Sequence, residues 1–271
     1  MLDGGTVGYR CITRAADRGE CVGGAPKFLW KKRRPVTATS AELLDGCIEQ
    51  TLGLYDEHYA AKYNELYLCQ RKHGSNKKVL LDIFEQLDAD SSRWLDTCCG
   101  QAWHFGQFPN VQKTGVDLSA AQLSYAAAAN PSATFIQSDI LSVQLPEHHF
   151  DLVTNFWLAY CYLDSFENIE RLVRQAVRWT RPGGYLYFEL VFAEQIPSWN
   201  TEDPRMRRDR VVFDRGDNYV KWGFRDQAGS HLMTSPPASF FTDLLAPHFD
   251  SVEILPNGVY RHLIASGKRR D

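Results

Sequence analysis

The spacing of apolar positions changes character along the chain. Around Ala41 to Leu54 apolar residues recur with helical period, and Tyr55, Tyr59, Tyr63 and Tyr67 follow at intervals of four. Side chains four apart stack on one helical face, so the tyrosines predict an aromatic stripe. Another helix is predicted over Lys78 to Leu87, with Ser91-Ser92 breaking the pattern ahead of a strand. From there apolar runs alternate with helical stretches. Strands are predicted at Trp94–Asp96, at the segment ending Thr114–Asp117, at Ala133–Gln137, Phe150–Phe156 and Tyr185–Val191. Helices are predicted to start near Ala102, to span Ala120–Ala129 behind a Ser119 cap, and to run from Phe166 to Thr180, stopped by Arg181-Pro182-Gly183-Gly184. Such alternation means βαβ units and a mostly parallel sheet, with ligands at the carboxyl ends of the strands. After the fifth strand the pattern departs. Val211 to Phe224 reads as a hairpin, Pro237 to Phe249 as a helix, and Ser251–Leu255 and Arg261–Ser266 as an antiparallel pair on the sheet edge.

Composition narrows the class. The 271 residues carry 30 Lys+Arg against 33 Asp+Glu, a net charge of −3, which offers no general field for a nucleic-acid backbone. Hydrophobic residues at 44% and charged residues at 23% describe a globular chain with a real core. No apolar run reaches the roughly 18 residues of a membrane span. The stretch from Met1 to Arg18 includes Asp3, Arg10 and Arg14 and lacks the apolar run of a signal peptide, so a soluble cytoplasmic protein is expected. Seven cysteines without a C-x-x-C spacing predict reduced thiols, with no disulfide framework and no metal site. Residues 1–40, with Gly4-Gly5, Gly23-Gly24 and the basic run Lys31 to Arg34, are expected to form a partly flexible extension. Residues 41–77 are expected to form a helical cover, and 78–271 a core interrupted at about 193–235.

Three loops at strand ends carry acids. The first reads Asp96-Thr97-Cys98-Cys99-Gly100-Gln101-Ala102, in which small residues let the backbone turn tightly beside a ligand. Asp117 closes the second strand, 21 residues after Asp96, where a carboxylate can accept both hydroxyls of a ribose. The third strand leads to Asp139-Ile140, an acid that can accept an exocyclic amine and an apolar residue that can pack on a ring. Together they predict a nucleoside site. A dinucleotide fits poorly, because Trp103, His104 and Phe105 stand between Gly100 and Gly106 where a pyrophosphate would need small residues.

These motifs resemble those of the class I S-adenosylmethionine-dependent methyltransferases. The resemblance covers about Leu87 to Phe192 and continues more weakly to Lys268. It rests on Asp96 to Ala102, Asp117, Asp139, Phe150-Asp151-Leu152-Val153 and Arg181-Pro182-Gly183-Gly184. It implies a doubly wound α/β fold with a mostly parallel seven-stranded sheet and an antiparallel edge, with N-terminal cover helices and a lid after strand five. It implies S-adenosyl-L-methionine as cofactor, held by Asp96, Cys98, Gly100, Ala102, Asp117, Leu118, Asp139, Ile140 and Asn155. Where the family usually has Gly, this chain has Cys98 and Ala102, which predicts a tightened methionine pocket.

The acceptor is expected beyond the fourth strand. No Asn-Pro-Pro-aromatic motif stands there. Instead Phe156, Trp157, Tyr160 and Tyr162 make an aromatic wall suited to a flat molecule or, by cation–π attraction, to an amine. The function expected is methyl transfer to oxygen or nitrogen of a small metabolite. The alternative is a member of the same fold that binds the cofactor for another reaction or for regulation. Tyr59, Tyr63, Trp157, Tyr160 and Trp222 are expected to line the acceptor side, with His104 and His231 as the bases that could hold or deprotonate the nucleophile.

Overall fold

The computed structural model describes residues 55–67, 70–196, 210–225, 230–258 and 260–270, with the side chains of 64–73, 210, 211, 213, 224, 225 and 230 left out. The apolar-periodic stretch 41–54, the N-terminal extension and Trp199 lie outside the described residues.

Ten strands form two sheets. β1 (Arg93–Thr97), β2 (Gln112–Asp117), β3 (Thr134–Gln137), β4 (Phe150–Asn155) and β5 (Thr180–Leu190) join β9 (Phe249–Asn257) and β10 (Tyr260–Lys268) in a seven-stranded sheet. The order is β3-β2-β1-β4-β5-β10-β9. The first five strands pair in parallel, and β10 runs antiparallel to both β5 and β9. The chain winds outward from β1 to β3, then returns to place β4 beside β1. The switch point therefore lies between β1 and β4, and the crevice beyond their carboxyl ends is where this architecture binds ligands.

The helices follow the predicted faces. α1 (Glu57–Tyr67) and α2 (Gln70–Gln86) precede the sheet, α3 (Ala120–Ala129) and α4 (Phe166–Trp179) lie between strands, and α5 (Ala238–Leu245) precedes β9. On α4, Ile169, Leu172, Val173, Ala176 and Val177 are buried at i, i+3, i+4, i+7 and i+8. Ser165 caps α4 through Asn168 N, and Ser119 caps α3 through Gln122 N. α2 buries Val79, Leu80, Ile83 and Phe84 in a cluster with Trp94, Phe105 and Phe108. The helix expected near Ala102 is a single 3₁₀ turn, Trp103–Gln107. Its carbonyls at Phe105 and Phe108 accept from Lys113 Nζ at 3.3 and 2.9 Å, which ends it while Phe105 and Phe108 turn into the core.

The segment after β5 contains more order than a hairpin. β6 (Arg210–Arg215), β7 (Val220–Arg225) and β8 (Ser230–Ser235) form a three-stranded antiparallel sheet. It is fastened to the loop after β4. Ser235 Oγ lies 2.9 Å from Trp222 Nε1 and 3.6 Å from Cys161 Sγ, and Thr234 Oγ1 donates to Asp164 O at 3.4 Å. Trp222 and Met233 share one hydrophobic cluster with Leu190, Val191 and Phe192.

Candidate functional site

The loop after β1 is built from three left-handed residues at alternate positions: Cys98 at φ +56°, Gly100 at +52° and Ala102 at +50°. This conformation crowds any Cβ, so a non-glycine residue adopts it at a cost. At Gly100 a Cβ would meet nothing within 4 Å. The backbone there borders open space, a cradle that a side chain would fill. Cys99 points inward instead: its Sγ would be only 2.7 Å from a Cβ on Gly115, so β2 needs glycine at that position.

Asp117 ties this loop to the next. Its Oδ2 accepts from Gly100 N at 2.8 Å and its Oδ1 from Ser119 N at 2.9 Å. A carboxylate offers about four acceptor positions, so acceptor capacity remains once its backbone bonds have fixed its orientation. Burial pushes the Asp117 carboxyl up, against the hydrogen bonds from Ser119, Gly100 and Leu118. Asp96, buried at the end of β1, accepts from Thr154 Oγ1 at 2.7 Å. Desolvation, with the Asp117 charge adding to it, pushes Asp96 up to about 8 against the Thr154 bond. A buried carboxylate in that condition favours a cation beside it. Burial and the same acids push the Cys98 and Cys99 thiols well up, which makes them poor nucleophiles.

At the third loop Asp139 is exposed and accepts from Leu141 N at 2.9 Å. Ile140 is 4% exposed and belongs to the core, whereas Leu118 is 47% exposed beside Asp117. Apolar surface at this end of the sheet is thus offered by Leu118 more than by Ile140. In the fourth loop Asn155 is fully buried. It donates to Thr97 O and Oγ1 at 3.0 and 3.1 Å and accepts from Tyr160 N at 3.0 Å, so it joins the first and fourth loops.

The expected acceptor residues divide. Tyr160 is a core residue: it is fully buried, its hydroxyl donates to Val191 O at 2.8 Å and accepts from Val191 N at 3.1 Å, and its ring packs on Phe241. Trp222 is likewise 2% exposed, with its indole N–H on Ser235. Trp157 stays half-buried in a left-handed backbone, φ +58°, followed by Leu158 at +59°. Glu189, which the sequence reading did not single out, holds this turn by accepting from Trp157 N at 2.9 Å. His104 is buried against Phe156, ring centroids 4.7 Å apart.

His231 stands elsewhere, on β8, within an aromatic cluster. Its Nδ1 lies 2.9 Å from Tyr162 Oη, and its ring centroid is 5.9 Å from that of Tyr162 and 6.4 Å from those of Tyr55 and Tyr59. Tyr59 also packs edge-on against Tyr55 and Tyr63, at 5.2 and 5.8 Å. Tyrosines of α1 and its lead-in, Tyr162 of the loop after β4 and His231 of the β6–β8 sheet meet here. Two hydrogen bonds seat α1 and its lead-in on the loops after β1 and β2: Ser119 Oγ donates to Tyr55 O at 2.6 Å, and Gln101 Nε2 to Ala60 O at 2.7 Å. Burial, reinforced by the neighbouring tyrosines, pushes the Tyr162 phenol well up and keeps it protonated. No group of three or more metal-ligating side chains occurs among the described residues, and none of the described helices is long and apolar enough to cross a membrane.

Residues 95–188 match the methyltransferase-domain family. Among curated proteins, the chain is 25% identical over 162 residues to the malonyl-[acyl-carrier protein] O-methyltransferase of Enterobacter lignolyticus, covering 57% of this chain and 61% of that protein. The chain thus spans about three fifths of that relative's length. Among solved structures, Streptomyces venezuelae DesVI superposes with a TM-score of 0.58 at 20% identity, over 77% of this chain and 98% of that one. The N-methyltransferase NodS of Bradyrhizobium japonicum, solved in complex with S-adenosyl-L-homocysteine, superposes with a TM-score of 0.57 at 15% identity, over 83% and 99%. Residues 95–188 thus resemble a methyltransferase domain, and the sheet and helices share the α/β fold of the solved methyltransferases.

Proposed function

We propose that this methyltransferase-domain protein transfers a methyl group from S-adenosyl-L-methionine to an oxygen or nitrogen of a small organic molecule. The observation that carries the reading is the join made by Asp117: one carboxylate fixes the Gly100 and Ser119 amides, faces the end of the sheet, and keeps acceptor positions for a ribose. The residues fit the cofactor. The space beyond Gly100 admits a close ligand, Asp96 favours a cation, Leu118 offers an apolar face, and Asp139 is exposed to accept an amine.

When bound, the cofactor supplies a methyl group already activated on a sulfonium, so the protein's task is alignment and exclusion of water. Asp96 and Asp117 would hold the amino end and the ribose. Asn155 fixes the fourth loop against the first, and so sets where an acceptor can approach. α1 and the β6–β8 sheet bring aromatic rings together over that approach. The malonyl-[acyl-carrier protein] and NodS relatives are named for oxygen and nitrogen transfer respectively, which supports a small acceptor and leaves the atom to this chain's own residues. The reading takes the acceptor to be neither nucleic acid nor membrane lipid. It places the protein in the cytoplasm, where the free thiols of Cys98, Cys99 and Cys161 stay reduced.

Transfer of radiolabelled methyl from S-adenosyl-L-methionine to a panel of small amines, phenols and carboxylic acids tests it. Labelled product from at least one class, lost on Asp117→Ala, is expected. Tight cofactor binding with no labelled product from any class would favour the alternative of a non-methylating member of the fold.

A further inference from the structure

We propose that the cluster of Tyr55, Tyr59, Tyr63, Tyr162 and His231 is the acceptor site and that it selects an amine; this deepens the methyltransferase reading and rests on it. The five rings come from three separate parts of the chain: the cover helix and its lead-in, the loop after β4, and the lid strand β8. Their centroids lie 5.2–6.4 Å apart, mostly edge to face, so the electron-rich faces of neighbouring rings turn in different directions. Tyr55, Tyr63 and Tyr162 keep part of their surface open, while Tyr59 and His231 form the buried floor. Such faces attract a cation, and tyrosine does so without a formal charge that would hold an ammonium too tightly to react.

The surrounding charge has the same preference. The Asp117 charge acts on Asp96 and the Asp139 charge on Asp164, with Lys221 offsetting the latter. These carboxylates raise the local concentration of cations and disfavour an anionic acceptor. The chemistry needs one further group. An acceptor held as ammonium first gives a proton to water, which frees the nitrogen lone pair. As that pair forms the N–C bond, the S–C bond breaks and its electron pair returns to sulfur, leaving a thioether and a cationic nitrogen. That nitrogen then sheds one proton. Tyr162 Oη, on a partly open ring, and His231 Nδ1 behind it at 2.9 Å are placed to relay that proton: the hydroxyl takes it and passes its own to the imidazole. The aromatic faces stabilise the positive charge that nitrogen gains in the transition state.

Choline and its uncharged carbon isostere, 3,3-dimethylbutan-1-ol, test the site without knowledge of the natural acceptor. Binding is measured by calorimetry with and without S-adenosyl-L-homocysteine. Choline is expected to bind about 10-fold tighter than the isostere, as one desolvated cation–π contact allows. Tyr63→Leu and Tyr162→Leu should each erase most of that ratio, while Tyr162→Phe, which keeps the ring, should preserve it. Equal binding of the two probes, absence of choline binding, or a ratio unchanged in both Leu variants overturns the proposal. Failure to bind S-adenosyl-L-homocysteine overturns the methyltransferase reading instead, and the choline ratio measured without it still decides the aromatic site.

Discussion

Gly100 shows how a single residue can serve the fold and the ligand by different means. Its φ of +52° favours glycine, yet Cys98 and Ala102 adopt the same conformation with side chains, so strain alone does not require glycine there. The open space at its missing Cβ leaves room for a ligand to approach the backbone. Gly100→Ala is therefore expected to cost about 1 kcal/mol of stability, the strain of one left-handed residue, but to weaken S-adenosyl-L-homocysteine about 10-fold or more. Chemical denaturation and calorimetry on the same protein separate the two effects. Equal and small losses in both would mean that no ligand approaches this backbone.

Asp96 makes the opposite compromise. Its ordinary value of 3.8 rises to about 8 on folding, so between those values the folded state holds a proton that the unfolded chain has lost. Its contribution to stability falls as pH climbs through that window and is level above it. Asp96→Asn, which can still accept from Thr154, should accordingly be more stable than the native protein by roughly 1–3 kcal/mol at pH 8, with the gap closing towards pH 4. Cofactor binding should be lost at both. Melting curves across pH read the first effect, and a pH-independent gap would place the Asp96 charge elsewhere in the balance. The strand-end places of these acids were legible in the sequence because each stands at or next to the end of an apolar strand run. Glu189 was not legible, since one acid inside the apolar run Tyr185–Val191 gives no hint that it caps Trp157 N. Tyr160 misled for a related reason: in an aromatic-rich loop a tyrosine resembles a wall, and only the structure shows its hydroxyl closed on Val191.

Among the elements, α1 gains most from its neighbours. An 11-residue helix is marginal on its own, and tertiary contacts must supply its stability. Asp56 caps it through Tyr59 N, Gln101 holds its first turn at Ala60 O, and Ser119 holds the lead-in at Tyr55 O. Gln101→Leu removes one of those bonds and leaves the Ala60 carbonyl without that donor. Amide exchange across 57–67 should rise about 5- to 10-fold, matching a hydrogen bond of about 1 kcal/mol, with exchange in β1 and β4 unchanged. Unchanged protection in α1 would show that the tyrosine contacts alone seat it. The stripe of tyrosines was visible as a period of four, but its partners were not. β8 escaped prediction because its buried positions include His231, Thr234 and Ser235, which do not register as an apolar alternation. The long apolar strands of the main sheet carried no such ambiguity. Neither did α3 and α4, whose caps Ser119 and Ser165 stand where the chain marks them.

Over the whole molecule, the order β3-β2-β1-β4-β5-β10-β9 brings four strand-end loops to one rim, and α1 with its lead-in is hydrogen-bonded to two of those loops. The alternation of strands and helices made this topology legible, while the closure of α1 and β8 around one set of rings depends on contacts between distant parts of the chain. The rim concentrates acids and the cover concentrates aromatic faces, a division suited to a cationic cofactor and an amine. The central claim is that the rim is a nucleoside site organised by Asp117. Calorimetric titration of S-adenosyl-L-homocysteine into the native protein and Asp117→Ala tests it most directly. The native protein is expected to bind one equivalent, and the variant to bind about 1–3 kcal/mol more weakly, roughly 5- to 150-fold, from the loss of charge-assisted hydrogen bonds. Equal affinity in a folded Asp117→Ala protein would contradict it.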